Sequence, residues 1–100
     1  MLLLNWRQNL KIVLTKEAKD SLREIESYIG QTSKRAARQT IITILNKITR
    51  QLPAHPQSAK PGIVTDTREL YFSDMPYCVI YTSDNKTITV LSIFHTAQSR

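Results

Sequence analysis

Tyr77-Cys78-Val79-Ile80-Tyr81-Thr82-Ser83-Asp84-Asn85-Lys86-Thr87-Ile88-Thr89-Val90-Leu91-Ser92-Ile93-Phe94-His95 is the stretch that decides the fold. Two runs rich in β-branched and aromatic residues, 77–82 and 87–95, flank Ser83-Asp84-Asn85-Lys86, a tight-turn composition, so the segment reads as an antiparallel hairpin. Within its second arm Ile88 and Val90 alternate with threonines. Val90-Leu91 and Ile93-Phe94 then place apolar side chains on both faces, as in a central strand or one carrying a bulge. Working upstream, Thr67–Phe72 is another β-rich run, and Asp74-Met75-Pro76 turns it into the hairpin. Before it, Ala54 to Gly62 holds prolines, a serine and a terminal glycine, which predict a loop without regular structure.

Further upstream the period changes from two to 3.6. Ala18, Leu22, Ile25 and Ile29 recur at intervals of four, three and four, stacking on one helical face. Thr15 is a good cap for that helix, Glu17 suits its first turn, and Gly30 predicts a left-handed ending. Thr32 or Ser33 can cap a second helix whose stripe is Ala37, Ile41, Ile44, Leu45, Ile48 and Leu52, with Pro53 as its stop. Few residues join the two helices, so they form an antiparallel hairpin. Leu10 to Leu14 precedes them as a short strand. The predicted order is βααβββ: class α+β, a two-helix hairpin packed on a small, mostly antiparallel sheet. Residues 1–9, including Trp6, read as an N-terminal arm or extension, and residues 10–100 as a single domain.

One hundred residues suffice for one such domain and leave no room for a second. The longest apolar run is five residues, Tyr77 to Tyr81, far below the ~20 that span a bilayer, so no membrane role is predicted. Asn5, Arg7, Gln8 and Asn9 break the apolar start too early for a secretory signal. Cytoplasm is therefore the expected compartment, and the single Cys78 fits it because it has no partner for an internal disulfide.

The net charge of +6 is confined to one block. Between Ser27 and Thr65 lie Lys34, Arg35, Arg38, Lys47, Arg50 and Lys60 without one acid, while the rest of the chain balances eight bases against eight acids. Such a block suits an acidic protein partner or a phosphate backbone; its bland reading is a solvated helix face.

Chemical constellations are thin. Cys78, His55 and His95 fall on different elements with no metal-ligand spacing, and two glycines cannot spell a phosphate loop, so neither metal nor nucleotide cofactor is predicted. Mid-strand Cys78 reads as a small buried hydrophobe. His95 could serve as a general base with Tyr77 and Tyr81 positioning a phosphate, or could simply bond backbone at a strand end. Arg68 could hold a phosphate or an acidic partner, or pair with a carboxylate on a neighbouring strand.

Several motifs stand together in order: His55-Pro56, Lys60-Pro61-Gly62, Thr67-Arg68-Glu69-Leu70, Pro76-Tyr77-x-Val79-Ile80-Tyr81, and Ile88-x-Val90-Leu91-x-Ile93-x-His95-Thr96-Ala97-Gln98. With Leu22-Arg23-Glu24-Ile25, Tyr28-Ile29 and Ala36-Ala37 in the helices, residues 10–98 resemble the RelE/ParE toxins of bacterial type II toxin–antitoxin systems. The resemblance implies an antitoxin partner with an acidic C-terminal segment, for which Lys34, Arg35 and Arg38 are the candidate contact.

The resemblance also implies a choice of target. RelE-like members are ribosome-dependent mRNA endonucleases that use lysines on the strand matching 67–72, an arginine right after the tyrosine of the next strand, and Arg and Tyr residues near the C-terminus. Here Glu69 and Tyr71 stand where the lysines belong, Cys78 replaces the arginine, and only Arg100 follows the last strand. ParE-like members, protein-binding poisons of DNA gyrase, do not need that cation set. The expectation is thus a ParE-like gyrase poison without enzymatic activity. An endonuclease is the alternative, with His95, Arg68, Tyr81 and Arg100 as its candidate catalytic residues. A degenerate toxin that only binds antitoxin comes third.

Overall fold

Thr15 ends β1 (Lys11–Leu14) and opens α1 (Lys16–Gly30) in the computed structural model, which describes residues 11–54, 60–61, 66–84 and 86–97. Its hydroxyl accepts from the Ala18 amide at 3.1 Å and donates to the Leu91 carbonyl at 2.9 Å. One side chain therefore caps the helix and fastens it to the sheet. The face that α1 buries is Ala18, Leu22 and Ile25, the predicted stripe, with Ile29 partly buried behind them.

Gly30 does not end the helix as expected. No glycine among the described residues has a positive φ, and Gln31 continues at φ −62° and ψ −30°. The chain leaves through tight right-handed turns instead, with Gln31 N bonded to Tyr28 O and both Thr32 N and Ser33 N to Ile29 O. Packing does not require the glycine either: a Cβ there would stand 3.9 Å from the Cβ of Ala37 on the next helix, an ordinary van der Waals distance.

Ser33, of the two proposed caps, starts α2 (Lys34–Ala54), accepting from the Ala36 amide at 3.1 Å. Ala37, Ile44, Ile48 and Leu52 are buried, and Ile41 and Leu45 partly so. Pro53 lies inside the last turn rather than after it. It lacks an N–H for the carbonyl one turn back, and the helix ends one residue later.

Four further strands complete the sheet: β2 (Lys60–Pro61), β3 (Arg68–Tyr71), β4 (Tyr77–Ser83) and β5 (Thr87–His95), in the spatial order β1-β5-β4-β3-β2. β1 runs parallel to β5 and every other pair is antiparallel. Within the predicted loop, Lys60 and Pro61 pair with Glu69 and Arg68, so that part of the expectation is corrected. A strand of two residues has no side-chain period to read, because the ladder is offered by β3. β5 is an interior strand between β1 and β4, and it is bulged: Ile80 faces Ser92 whereas Tyr81 faces Val90, leaving Leu91 as the extra residue. The turn before it is closed by Asp84, whose carboxylate accepts from the amides of Lys86 and Thr87 at 2.8 and 2.7 Å. Those bonds hold its pKa below the usual carboxylate value.

Register assigns the two faces of the sheet. Ile12, Leu14, Ile88, Val90, Ile93, Val79 and Tyr81 share the side covered by the helices and form the core with Leu22, Ile25, Ile44, Ile48 and Leu52. Glu69, Tyr71, Cys78, Ile80 and Phe94 share the opposite side. Lys47 of α2 reaches Asp74 in the β3–β4 connection at 3.1 Å and lies 5.6 Å from the Phe72 ring centre, tying the second helix to the sheet. Residues 1–9, proposed as an arm, lie outside the described residues, as do His55 and Arg100.

Candidate functional site

The sheet face opposite the helices carries a carboxylate, a phenol and a thiol side by side. Period-two alternation puts Glu69 and Tyr71 on the same side of β3, and the register sets Cys78 of β4 directly across from Tyr71. Tyr71 donates its hydroxyl hydrogen to Glu69 Oε1 at 2.9 Å. Glu69 is only 3% exposed and Cys78 wholly buried, whereas the Tyr71 ring is 42% exposed. The bond to Glu69, with smaller contributions from desolvation and from Cys78, pushes the Tyr71 pKa up to about 12. The neutral phenol is the hydrogen donor, so deprotonation would set two anions against each other.

A pH dependence follows. With a folded pKa above the unfolded value of about 10, the contribution of this pair is complete below pH ~10 and is lost as pH rises toward 12. Tyr77 is also raised, chiefly by burial and then by the neighbouring Tyr28, so it adds to the same loss. Stability of wild type and Tyr71→Phe, followed by circular dichroism from pH 9 to 12, should show the steeper decline in wild type. Parallel curves would remove the Tyr71–Glu69 bond as the cause.

The residues proposed for phosphate chemistry are not gathered at one place. Tyr81 is fully buried within the core, and its register neighbour Arg68 is half-buried beside a small polar concavity shared with Asp66, Thr67 and Ser83. His95 pairs with Tyr77, four residues along β4 from Tyr81, about 13 Å at the rise of a strand. The His95 ring packs edge-on against Tyr77 with centroids 5.4 Å apart. Its Nδ1 accepts from the Ala97 amide at 3.0 Å, which uses the one lone pair a neutral imidazole has to offer. Arg100 is outside the described residues. Among the described residues no three His, Cys, Asp or Glu side chains converge as metal ligands.

Lys34, Arg35 and Arg38 are all exposed at the start of α2. Lys34 and Arg38 stand one turn apart and line a cleft shared with Glu26 and Gly30 of α1. No acid occupies the first turn of α2, so these cations add to the positive end of the helix dipole instead of offsetting it. That arrangement costs the helix a few tenths of a kcal/mol per charge and raises the local positive potential. Of the other basic residues in the block, Lys47 is engaged by Asp74.

One feature escaped the sequence reading. Ser21, Glu24, Ile25 and Tyr28 fall at i, i+3, i+4 and i+7 on α1, and this stripe faces Tyr77 and the end of β5 across a groove of about 540 Å³. The spacing was visible, but its opposite wall comes from residues about fifty to seventy-five positions away.

The profile of the family described as the ParE toxin of the type II toxin–antitoxin system parDE matches residues 12–100. The chain belongs to the ParE toxin family. It is also 31% identical over 88 residues to the candidate toxin Y4kP of Sinorhizobium fredii, spanning 88% of this chain and 90% of that one. Among solved structures, a chain of the chromosomal ParDE toxin–antitoxin system of P. aeruginosa superimposes with a TM-score of 0.70 at 17% identity, covering 88% of this chain and 97% of the other. A chain of the RelBE2 toxin–antitoxin complex of Mycobacterium tuberculosis does so with a TM-score of 0.66 at 17% identity, over 90% and 94%. At that identity the structural likenesses establish the fold, two helices on a mixed sheet, and family membership makes this chain the toxin component of a type II toxin–antitoxin system. No helix among the described residues is long and apolar enough to cross a membrane.

Proposed function

We propose that this ParE-family toxin is a protein-binding poison of DNA gyrase rather than an mRNA endonuclease, and that an antitoxin with an acidic C-terminal segment neutralises it by docking on Lys34, Arg35 and Arg38. The observation that carries the choice of target is the buried Glu69, bonded to Tyr71 and beside Cys78, on the strands where the endonuclease branch is implied to place its cations. Cleaving RNA requires positive groups around the scissile phosphate to stabilise the charge that develops in the transition state, and a carboxylate there has the wrong sign. Binding to a protein target makes no such demand. The deciding experiment sets inhibition of gyrase supercoiling against ribosome-dependent mRNA cleavage by the same purified toxin.

The antitoxin surface has its own test. Exposed charges act mainly on encounter, so replacing Lys34, Arg35 and Arg38 together by Gln should slow association with the antitoxin by about tenfold or more at low salt. The off-rate should change much less. Stopped-flow association at two ionic strengths reads both the rate and its salt dependence. An unchanged on-rate at low salt would reduce the block to a solvated face.

A further inference from the structure

The groove between α1 and the end of β5 is built from rings and one carboxylate. Tyr28, 74% exposed on the helix, and Tyr77, 7% exposed on β4, stand close enough for Tyr28 to raise the Tyr77 pKa, and His95 packs edge-on against Tyr77. Ile25 and Ile93 line the groove and are themselves almost fully buried. Among the described residues, Glu24, one turn before Tyr28, is the only carboxylate lining it, and no lysine or arginine does. The adjacent Arg23 is engaged by Asp20 at 3.2 Å, on a different side of the helix. At the base of the groove the Ile93 amide donates to the Ser21 hydroxyl at 3.4 Å, linking strand to helix.

We infer that this groove is a docking site for an arginine side chain of a partner polypeptide, with Glu24 pairing the guanidinium and the rings of Tyr28, Tyr77 and His95 packing on its flat faces and stem. Three features of the groove select that occupant. Aromatic faces attract a cation, and a planar guanidinium stacks on them where a compact ammonium does not. The carboxylate rim repels an acidic residue and has no counter-charge among the described residues lining the groove. The apolar floor of Ile25 and Ile93 suits a methylene stem. The Lys34/Arg38 cleft on the other flank of α1 has the opposite polarity, so the two surfaces select different residues of whatever crosses this helix. The inference stands on the groove alone and is independent of the choice between gyrase and ribosome.

The test uses the full-length toxin and a small probe, N-acetyl-arginine amide, with the neutral isostere N-acetyl-citrulline amide as control. Proton NMR should show saturable shifts of the Tyr28, Tyr77 and His95 rings with the arginine probe, at an affinity on the order of millimolar. Citrulline should bind about threefold to tenfold more weakly, and Glu24→Gln should weaken the arginine probe by a similar factor without altering thermal unfolding, because Glu24 is exposed and makes no ion pair among the described residues. Tyr28→Ala, also at an exposed position, should reduce binding of both probes. Equal binding of arginine and citrulline, indifference to Glu24→Gln, or no saturable shift would overturn the inference. Saturable binding that appears only after Arg100→Gln would overturn it too, by identifying the occupant as the chain's own arginine.

Discussion

Purified toxin is expected to inhibit supercoiling by DNA gyrase and to accumulate linear or nicked plasmid, while ribosome-bound mRNA stays intact. Two unit charges about 4 Å apart at an effective dielectric of 20 interact by about 4 kcal/mol, so exchanging a cation for Glu69 reverses the sign of a term of that size. Each 1.4 kcal/mol is tenfold in rate, and the endonuclease would forfeit several orders of magnitude. Induced cells should filament and mount a DNA-damage response while translation continues at first, and excess antitoxin should reverse the inhibition if the two share a surface. His95→Ala sharpens the comparison. An endonuclease using the imidazole as general base would lose on the order of 10²–10⁴ in rate, whereas gyrase poisoning should survive the change. Immediate translational arrest with codon-aligned mRNA cuts would reject the proposal. Neither effect, in a folded protein that still binds its antitoxin, would leave a degenerate toxin.

Tyr81→Ala should abolish toxicity by a different route. Tyr81 is fully buried in the cluster that joins β4 to both helices, and deleting an aromatic ring from such a site costs about 3–5 kcal/mol. That is a large part of the 5–15 kcal/mol that holds an ordinary domain together. Urea denaturation should place the midpoint of the variant far below wild type. Tyr81→Phe keeps the ring and should cost only about 1 kcal/mol while retaining toxicity. A folded, stable Tyr81→Phe protein with no activity would mean that the hydroxyl itself takes part in the chemistry, and would restore the endonuclease alternative.

The helices were legible because their signals are local. Thr15 and Ser33 cap neighbours three residues ahead, and the buried stripes repeat every three or four positions. The β4–β5 hairpin was legible for the same reason, with Asp84 closing its turn within the segment. What escaped was set by distant partners. Nothing in Lys11-Ile12-Val13-Leu14 says that it lies parallel to Thr87–Val90, and nothing in Lys60-Pro61 says that β3 offers it a ladder. Gly30 misled because glycine permits left-handed backbone without requiring it, and here the chain continues right-handed into Gln31. The Tyr71–Glu69 bond was within reach of period-two reading, but the groove at Glu24 and Tyr28 needed the far end of β5.

The placement of β5 between β1 and β4 bears on when the toxin first becomes dangerous during its own synthesis. β1 is made early, yet its hydrogen-bonded neighbour is 76 positions later, and α1 is fastened through Thr15 to that same late strand. Ile88, Val90 and Ile93 belong to the core, so a nascent chain lacking them has a helical hairpin whose sheet-facing stripe is only partly covered. Long-range pairing of this kind is slow to form and cannot begin until the late strand has left the ribosome. Translation is therefore expected to deliver no partly active toxin. The interval between emergence of residues 87–95 and completion of the sheet is the window in which an antitoxin already present can meet the chain before any target does.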